Sequence, residues 1–280
     1  MYLTKPKKIE DLIVRILLQG ESRTISLLKT IRSNKGFQSV TKQGFYVALR
    51  KLTSEGIIII YNKNVSINTN WLREMESLFK KSFKLHASEP LNADFLSLSD
   101  RETATYTFNS IKNMDVFWGH TWNILMQRVD AGEPVYVYDP HYWFYLAQKD
   151  LEKIYHEEII SNGRKFLMTV SGTTKLDKEI KKEFQPPHMQ CNFSTLYEDE
   201  SYYMTVFGDY ICETYLDTIA VDCISEIFKN NKSATREVVS TLRDLLGAKI
   251  PCRLKITRNR IKAEKIKKKL SRNFSMPKRS

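Results

Sequence analysis

The stretch Ser39-Val40-Thr41-Lys42-Gln43-Gly44-Phe45-Tyr46-Val47-Ala48-Leu49-Arg50-Lys51-Leu52-Thr53-Ser54-Glu55-Gly56-Ile57-Ile58 decides how the chain reads. Thr41 stands where a helix N-cap is wanted, and Phe45, Ala48, Leu49 and Leu52 fall at the i, i+3, i+4, i+7 spacing of one buried helix face. Gly56 supplies the stop. The β-branched run 57–61, then Asn62-Lys63-Asn64 and Val65-Ser66-Ile67, has the form of two short strands around a polar turn. Upstream, Ile9, Leu12, Ile13, Ile16 and Leu17 make another one-sided helix, ended by Gly20. A helix over 22–33, burying Ile25, Leu28 and Ile31, is expected between the two, with Asn34-Lys35-Gly36 as a turn.

Three short helices followed by a hairpin are the plan of a winged helix-turn-helix. If the 45/48/49/52 stripe faces the core, then at 100° per residue Gln43, Val47 and Arg50 point away from it. Tyr46 lies on the flank and Lys42 at the helix start. In a major groove Gln can bond adenine and Arg guanine, while Thr41, Lys42 and Lys63 at the hairpin turn suit phosphates. The same face could instead be a solvated surface on a module used for protein contacts. Residues 39–58 resemble the recognition helix and wing entry of MarR- and TrmB-like regulators. The resemblance implies a DNA-binding transcriptional regulator whose partner is double-stranded DNA. Gly44 departs from the pattern and costs ~1 kcal/mol of helix propensity relative to Ala.

Charge is distributed in blocks. Residues 1–70 carry 12 Lys+Arg against 4 Asp+Glu, residues 71–248 carry 19 against 27, and residues 249–280 carry 13 against one. An acidic body between two basic ends, rather than a uniformly basic protein, produces the formal +12. The basic first block favours nucleic acid as the partner. Like charges at the density of 249–280 read as a disordered arm that adds phosphate affinity without sequence preference. Attraction to the acidic body of the same chain, or to anionic lipid, is the other reading of that segment. No run of 18 apolar residues occurs, so no membrane partner is expected and the chain reads as soluble and cytoplasmic. Cys191, Cys212, Cys223 and Cys252 show no C-x-x-C spacing. Buried thiols are expected, with a zinc site at His188 and Cys191 as the lesser reading.

A helix over 70–85 places Trp71, Met75, Leu78 and Leu85 near a heptad seam thickened by Phe79 and Phe83. It reads either as a homodimer contact through residues 70–85 or as packing on its own domain. A polar run from His86 to Asp100 reads as the linker. Beyond it come strand 104–108, helix 116–129, the uncharged strand 135–138, helix 148–160 and strand 165–170, a right-handed strand–helix–strand unit. Helix 174–184 is stopped by Pro186-Pro187, and a hairpin 202–216 turning at Gly208-Asp209 precedes helices 219–228 and 235–246. The element order is similar to that of the effector domain of TrmB-like regulators, a single copy of the phospholipase D fold.

The active phospholipase D pattern needs His-x-Lys and then Asp. Here His141-Tyr142-Trp143 has Trp in place of Lys and Gln148 in place of Asp, so that chemistry is absent. No P-loop, G-x-S-x-G, G-x-G-x-x-G or H-E-x-x-H appears, and no cofactor and no catalysis are expected. The alternative is a nucleic-acid-processing or defence enzyme, a nuclease using the winged helix to hold its substrate. Trp118, His120, Trp122, Asp139, His141 and Trp143, around the end of a sheet strand, suit a pocket for a small-molecule effector as well as they suit a core.

The expected fold class is α/β: an N-terminal winged helix-turn-helix plus a C-terminal α/β domain with a mixed sheet. The expected boundaries are 1–68 for the DNA-binding domain, 69–100 for connector helix and linker, 101–248 for the effector domain and 249–280 for the tail.

Overall fold

Ile9 opens the first helix, and the computed structural model describes residues 6–88, 94–130, 132–272 and 274. The chain divides into two units, Met1–His86 and Ala87–Ser280. Together they form an α/β architecture with a mostly helical N-terminal region and a C-terminal mixed sheet.

The first unit runs α1 (Ile9–Leu17), β1 (Ser22–Arg23), α2 (Thr24–Ser33), α3 (Lys42–Ser54), β2 (Ile58–Tyr61), β3 (Asn64–Ile67) and α4 (Thr69–Ser88). Thr41 caps α3, its hydroxyl accepting from the Gly44 amide at 3.0 Å. Gly56 ends the helix region with a φ of +69°, in the left-handed region that favours glycine. Phe45, Ala48, Leu49 and Leu52 are buried as the spacing predicts, against Leu12, Ile13, Leu17, Leu27, Ile31 and Val65.

The second helix differs from expectation. Residues 22–23 are a strand, β1, paired with β3, so the helix starts two residues later at Thr24. Its buried positions are Thr24, Leu27 and Ile31, and Ile25 is 79% exposed. The Thr24 amide and hydroxyl both donate to the Lys63 carbonyl at 2.8 Å, tying the helix start to the hairpin turn. On α4, Trp71 packs on the core of its own unit, whereas Leu72, Leu78, Phe79, Phe83 and Leu85 are exposed.

The second unit opens with a 3-10 turn, Asp94–Ser97, that buries Phe95. Residues 94–100 thus belong to this unit and not to a free linker. The Arg258 guanidinium donates to the Leu98 carbonyl at 3.0 Å, and the amide of Arg101 donates to the carbonyl of Arg258 at 2.6 Å. Of the expected linker, residues 89–93 lie outside the described residues.

The unit continues β4 (Thr103–Phe108), α5 (Ile111–Arg128), β5 (Val135–Asp139), α6 (Trp143–Ala147), α7 (Lys149–Ser161), β6 (Phe166–Val170), α8 (Lys175–Lys181) and β7 (Met189–Phe193). It ends β8 (Tyr202–Phe207), β9 (Tyr210–Leu216), α9 (Thr218–Asn230), α10 (Arg236–Gly247), β10 (Cys252–Arg258) and α11 (Arg260–Ser271). The sheet order is β4-β10-β9-β8-β5-β6-β7. β5, β6 and β7 are parallel and the remaining pairs antiparallel. The expected β5–α7–β6 crossover is present, and β5 is buried along its whole length, as an uncharged central strand should be.

Alternate sheet residues face two layers. Val135, Val137, Phe166, Met168, Leu254 and Ile256 pack under α5, α8, α9 and α10 through Leu125, Ile180, Ile224 and Leu242. Tyr136, Tyr138, Leu167, Tyr202 and Met204 face the opposite layer, covered by Ala263, Ile266 and Leu270 of α11.

That second layer corrects the expectation of a disordered arm over 249–280. Residues 252–258 are a strand between β4 and β9, and 260–271 a helix on the sheet. The alternation Cys252, Leu254, Ile256 and the stripe Ala263, Ile266, Leu270 are patterns that a count of charges passes over. Acids from the body offset the lysines. Lys267 lies 3.0 Å from Glu133, and Lys262 and Lys255 lie 3.4 and 3.8 Å from Glu213; Glu264, the segment's own acid, lies 2.9 Å from Lys267. Attraction to the acidic body is therefore the reading that describes this segment.

Candidate functional site

In the first unit the candidate DNA contacts lie on α3, at its start and at the β2–β3 turn. Thr41, Lys42, Gln43, Tyr46, Val47 and Arg50 are all exposed on α3 or at its start. Gln43, Val47 and Arg50 are spaced i, i+4, i+7, which spreads them over about 10 Å of helix. Lys63 is exposed at the hairpin turn, where it and Asn62 take positive φ values of 65° and 46°. No ion pair among the described residues engages Lys42, Arg50 or Lys63, whereas Lys51 lies 3.8 Å from Glu10. Tyr46 is steadied by an edge-on contact with Phe45, ring centres 5.4 Å apart.

In the second unit a cavity of about 100 Å³ opens between the sheet and helices α5 and α7. Of the six candidate effector-site residues, Trp118, Trp122 and Asp139 line it. The other three expected residues do not. His120 is exposed on α5. His141 turns away, its Nδ1 3.0 Å from an Asp177 carboxylate oxygen and its ring stacked on Phe228 with centres 4.3 Å apart. Trp143 is fully buried in the core against Phe144. The reason is geometric: β5 ends at Asp139, and the turn into α6 sends residues 141 and 143 to the far side of the strand end.

Three further titratable groups complete the cavity: Asp115 from α5, and Glu152 and His156 from α7. Glu152 and His156 are four apart on one helix face, and Asp115 precedes Trp118 by three, so the spacing was present in the sequence. What the sequence lacks is the pairing of α5 with α7 across β5. The Tyr142 hydroxyl donates to Glu152 Oε2 at 2.6 Å and lies 2.9 Å from His156 Nε2. Gln148 donates to Asp115 at 3.1 Å and to Glu152 at 3.4 Å.

Burial dominates the electrostatics. It pushes Asp115 up to about 6, against the lowering hydrogen bond from Gln148. Burial likewise pushes Glu152 up to about 7, with the Tyr142 hydrogen bond lowering it and the charge of Asp115 raising it further. Asp139 is pushed well above the carboxylate range by burial and by Glu152. His156 is pushed down to about 4 by burial, so its imidazole is neutral near pH 7. This is a chamber of acids with depressed acidity inside aromatic walls, suited to recognising a ligand by charge and stacking.

Among the described residues no group of three or more His, Cys, Asp and Glu is placed to hold a metal ion, and His188 and Cys191 do not form one. Among the described residues no helix is long and apolar enough to cross a membrane.

No protein-family model matches the sequence, and no curated protein matches it. Among solved structures the chain is similar to TrmBL2, described as an archaeal chromatin protein with a novel mode of DNA binding. That similarity has 12% identity and a TM-score of 0.33, over 94% of this chain and 90% of the other. It is also similar to NucT from Helicobacter pylori, at 10% identity and a TM-score of 0.35, over 61% of this chain and 96% of that one. Each is a weak, partial structural likeness, too small to transfer a fold or a function.

Proposed function

We propose that the protein is a DNA-binding transcriptional regulator: the first unit is a winged helix-turn-helix whose α3 reads double-stranded DNA, and the second binds a small-molecule effector. The observation that carries this reading is the set of exposed side chains on α3 and the β2–β3 turn. Lys42, Gln43, Arg50 and Lys63 are exposed with no acid paired to them among the described residues, while the stripe Phe45, Ala48, Leu49 and Leu52 is buried. In this reading Gln43 and Arg50 meet base edges, and Thr41, Lys42 and Lys63 hold phosphates. In the same reading the second unit is a TrmB-like, catalytically degenerate phospholipase D-like domain that binds and does not catalyse, and the protein acts on cytoplasmic DNA as a homodimer through residues 70–85. The exposed apolar side chains on α4 support the last element.

Selection of bound sequences from a random DNA pool, followed by gel shifts at rising salt, tests the proposal. Arg50→Ala and Gln43→Ala are expected to cost about 1–3 kcal/mol each on the selected site and little on random DNA. Lys63→Ala is expected to weaken both alike and flatten the salt slope by about 1. Equal losses on selected and random DNA for Arg50→Ala would remove the recognition role from α3. Metal-dependent turnover of DNA or RNA by the full chain would remove the non-catalytic reading of the second unit.

A further inference from the structure

The cavity of the second unit gathers three acidic groups with no cation to balance them. Asp115, Asp139 and Glu152 line it, no lysine or arginine does, and no cationic group acts on any of the three. Asp139 is 6% exposed and its carboxyl has no hydrogen-bond partner among the described residues. Buried carboxyls are ordinarily paired or bonded, since leaving one unsatisfied costs stability. The remaining walls are aromatic: Trp118, Trp122, Phe144 and Tyr155. Acidic groups spread over aromatic walls do not form the compact oxygen cage of a hard metal ion. They match a weakly hydrated organic cation, which gains from carboxylates and ring faces together. A cavity of about 100 Å³ is smaller than the ~150 Å³ that holds benzene, so the group it takes has on the order of four non-hydrogen atoms.

We propose that this cavity binds a small organic cation of the guanidinium or alkylammonium class, held between the acidic side chains of Asp115, Asp139 and Glu152 and the rings of Trp118 and Tyr155. The proposal rests on reading the second unit as a ligand-binding domain and names the chemistry of its ligand. Near pH 6 a bound cation favours ionised carboxyls, so binding releases a proton from Glu152 or Asp115 to solvent. The other titratable groups facing the site do not compete for that role. Tyr142, Tyr155, Tyr203 and Cys212 are pushed up by burial and stay neutral, and His156 is neutral already.

Calorimetry of the full chain with guanidinium and with n-propylammonium at millimolar concentration, against their uncharged counterparts urea and 1-propanol, tests it. Expected are dissociation constants of about 1 mM or tighter for at least one cation, at least tenfold weaker binding of its neutral counterpart, and an affinity that rises about tenfold or more from pH 5.5 to 8. Titration at pH 6 in two buffers of different ionisation heat is expected to show proton release. Glu152→Gln and Asp115→Asn should each weaken cation binding about tenfold, and circular dichroism establishes that each variant is folded. Neutral counterparts binding as well as the cations would overturn the cation assignment and leave the ligand-domain reading standing. No heat with any of the four would overturn both, and cation binding unaltered in both variants would overturn the placement of the site.

Discussion

Replacing Glu152 by Gln is expected to stabilise the second unit, by an amount that grows with pH. Burial raises this carboxyl from its ordinary 4.5 to about 7. Between those two values the unfolded chain has already lost the proton that the folded chain keeps. Stability contributed by that protonated group is therefore complete below pH 4.5 and falls as pH rises through 7. Each pH unit crossed removes ~1.4 kcal/mol, so ~3 kcal/mol is gone by pH 8, of which ~1 kcal/mol is gone by pH 5.5. Glutamine keeps an oxygen for the Tyr142 hydroxyl and has no proton to lose, so the variant escapes the loss. The advantage of Glu152→Gln over wild type should widen by ~2 kcal/mol from pH 5.5 to pH 8, near 1 M in urea midpoint. Protonation of His156, whose pKa lies low in the fold at about 4, lowers stability in acid for both proteins and cancels in the difference. Urea unfolding followed by tryptophan fluorescence reads the right unit, since three of the four tryptophans, at 118, 122 and 143, are in it. Parallel pH curves for the two proteins would refute burial of an acid at 152.

Deleting 249–280 should not yield a folded body with a lost arm. It removes β10 from between β4 and β9 and the whole α11 layer, so insolubility or loss of cooperative unfolding is expected. A soluble, cooperatively melting 1–248 protein would contradict this. On α4, Leu78→Glu with Phe79→Glu should convert a dimer to a monomer in sedimentation velocity without lowering the melting temperature by more than about 2 °C, since both side chains are exposed. A wild-type chain that sediments as a monomer at high micromolar concentration would remove the dimer.

The elements most legible in the sequence are those whose local signals agree. Around α3 the cap, the stripe and the terminal glycine all mark the same helix, and the outward face follows from the inward one by rotation alone. The hairpin around Gly208-Asp209 and the strand β5 were equally plain, because a turn pair or an uncharged run leaves little choice of register. Ile25 misled because the phase of α2 is set from outside it, by the pairing of residues 22–23 with β3. The basic segment misled more deeply. Its charges are opposed by Glu133 and Glu213, more than 30 residues away in the sequence, and no local pattern reveals such partners. The cavity was half legible for a similar reason. Trp118, Trp122 and Asp139 belong to an aromatic-rich pattern visible in the sequence, but Glu152 and His156, on a helix of ordinary charged composition, join them only once α7 lies beside α5.

The position of β10 has a consequence for how the protein is made. Its neighbour β4 is among the first strands of its unit to leave the ribosome, and among the described residues it pairs only with β10, near the C-terminal end. About 150 residues separate Phe108 from Arg258, and at ~5–20 residues per second their synthesis takes roughly 10–30 s. Throughout that interval β4 is an unsatisfied strand edge, and β9 lacks one of its two neighbours. The first unit has no such delay, because all of its strand pairing lies within residues 22–67. The nascent chain thus carries a finished first unit ahead of an open sheet, and the sheet closes only once β10 emerges. Chaperone engagement during synthesis should accordingly fall on the body, and a stop codon just before residue 252 should be as damaging as one in the middle of the unit.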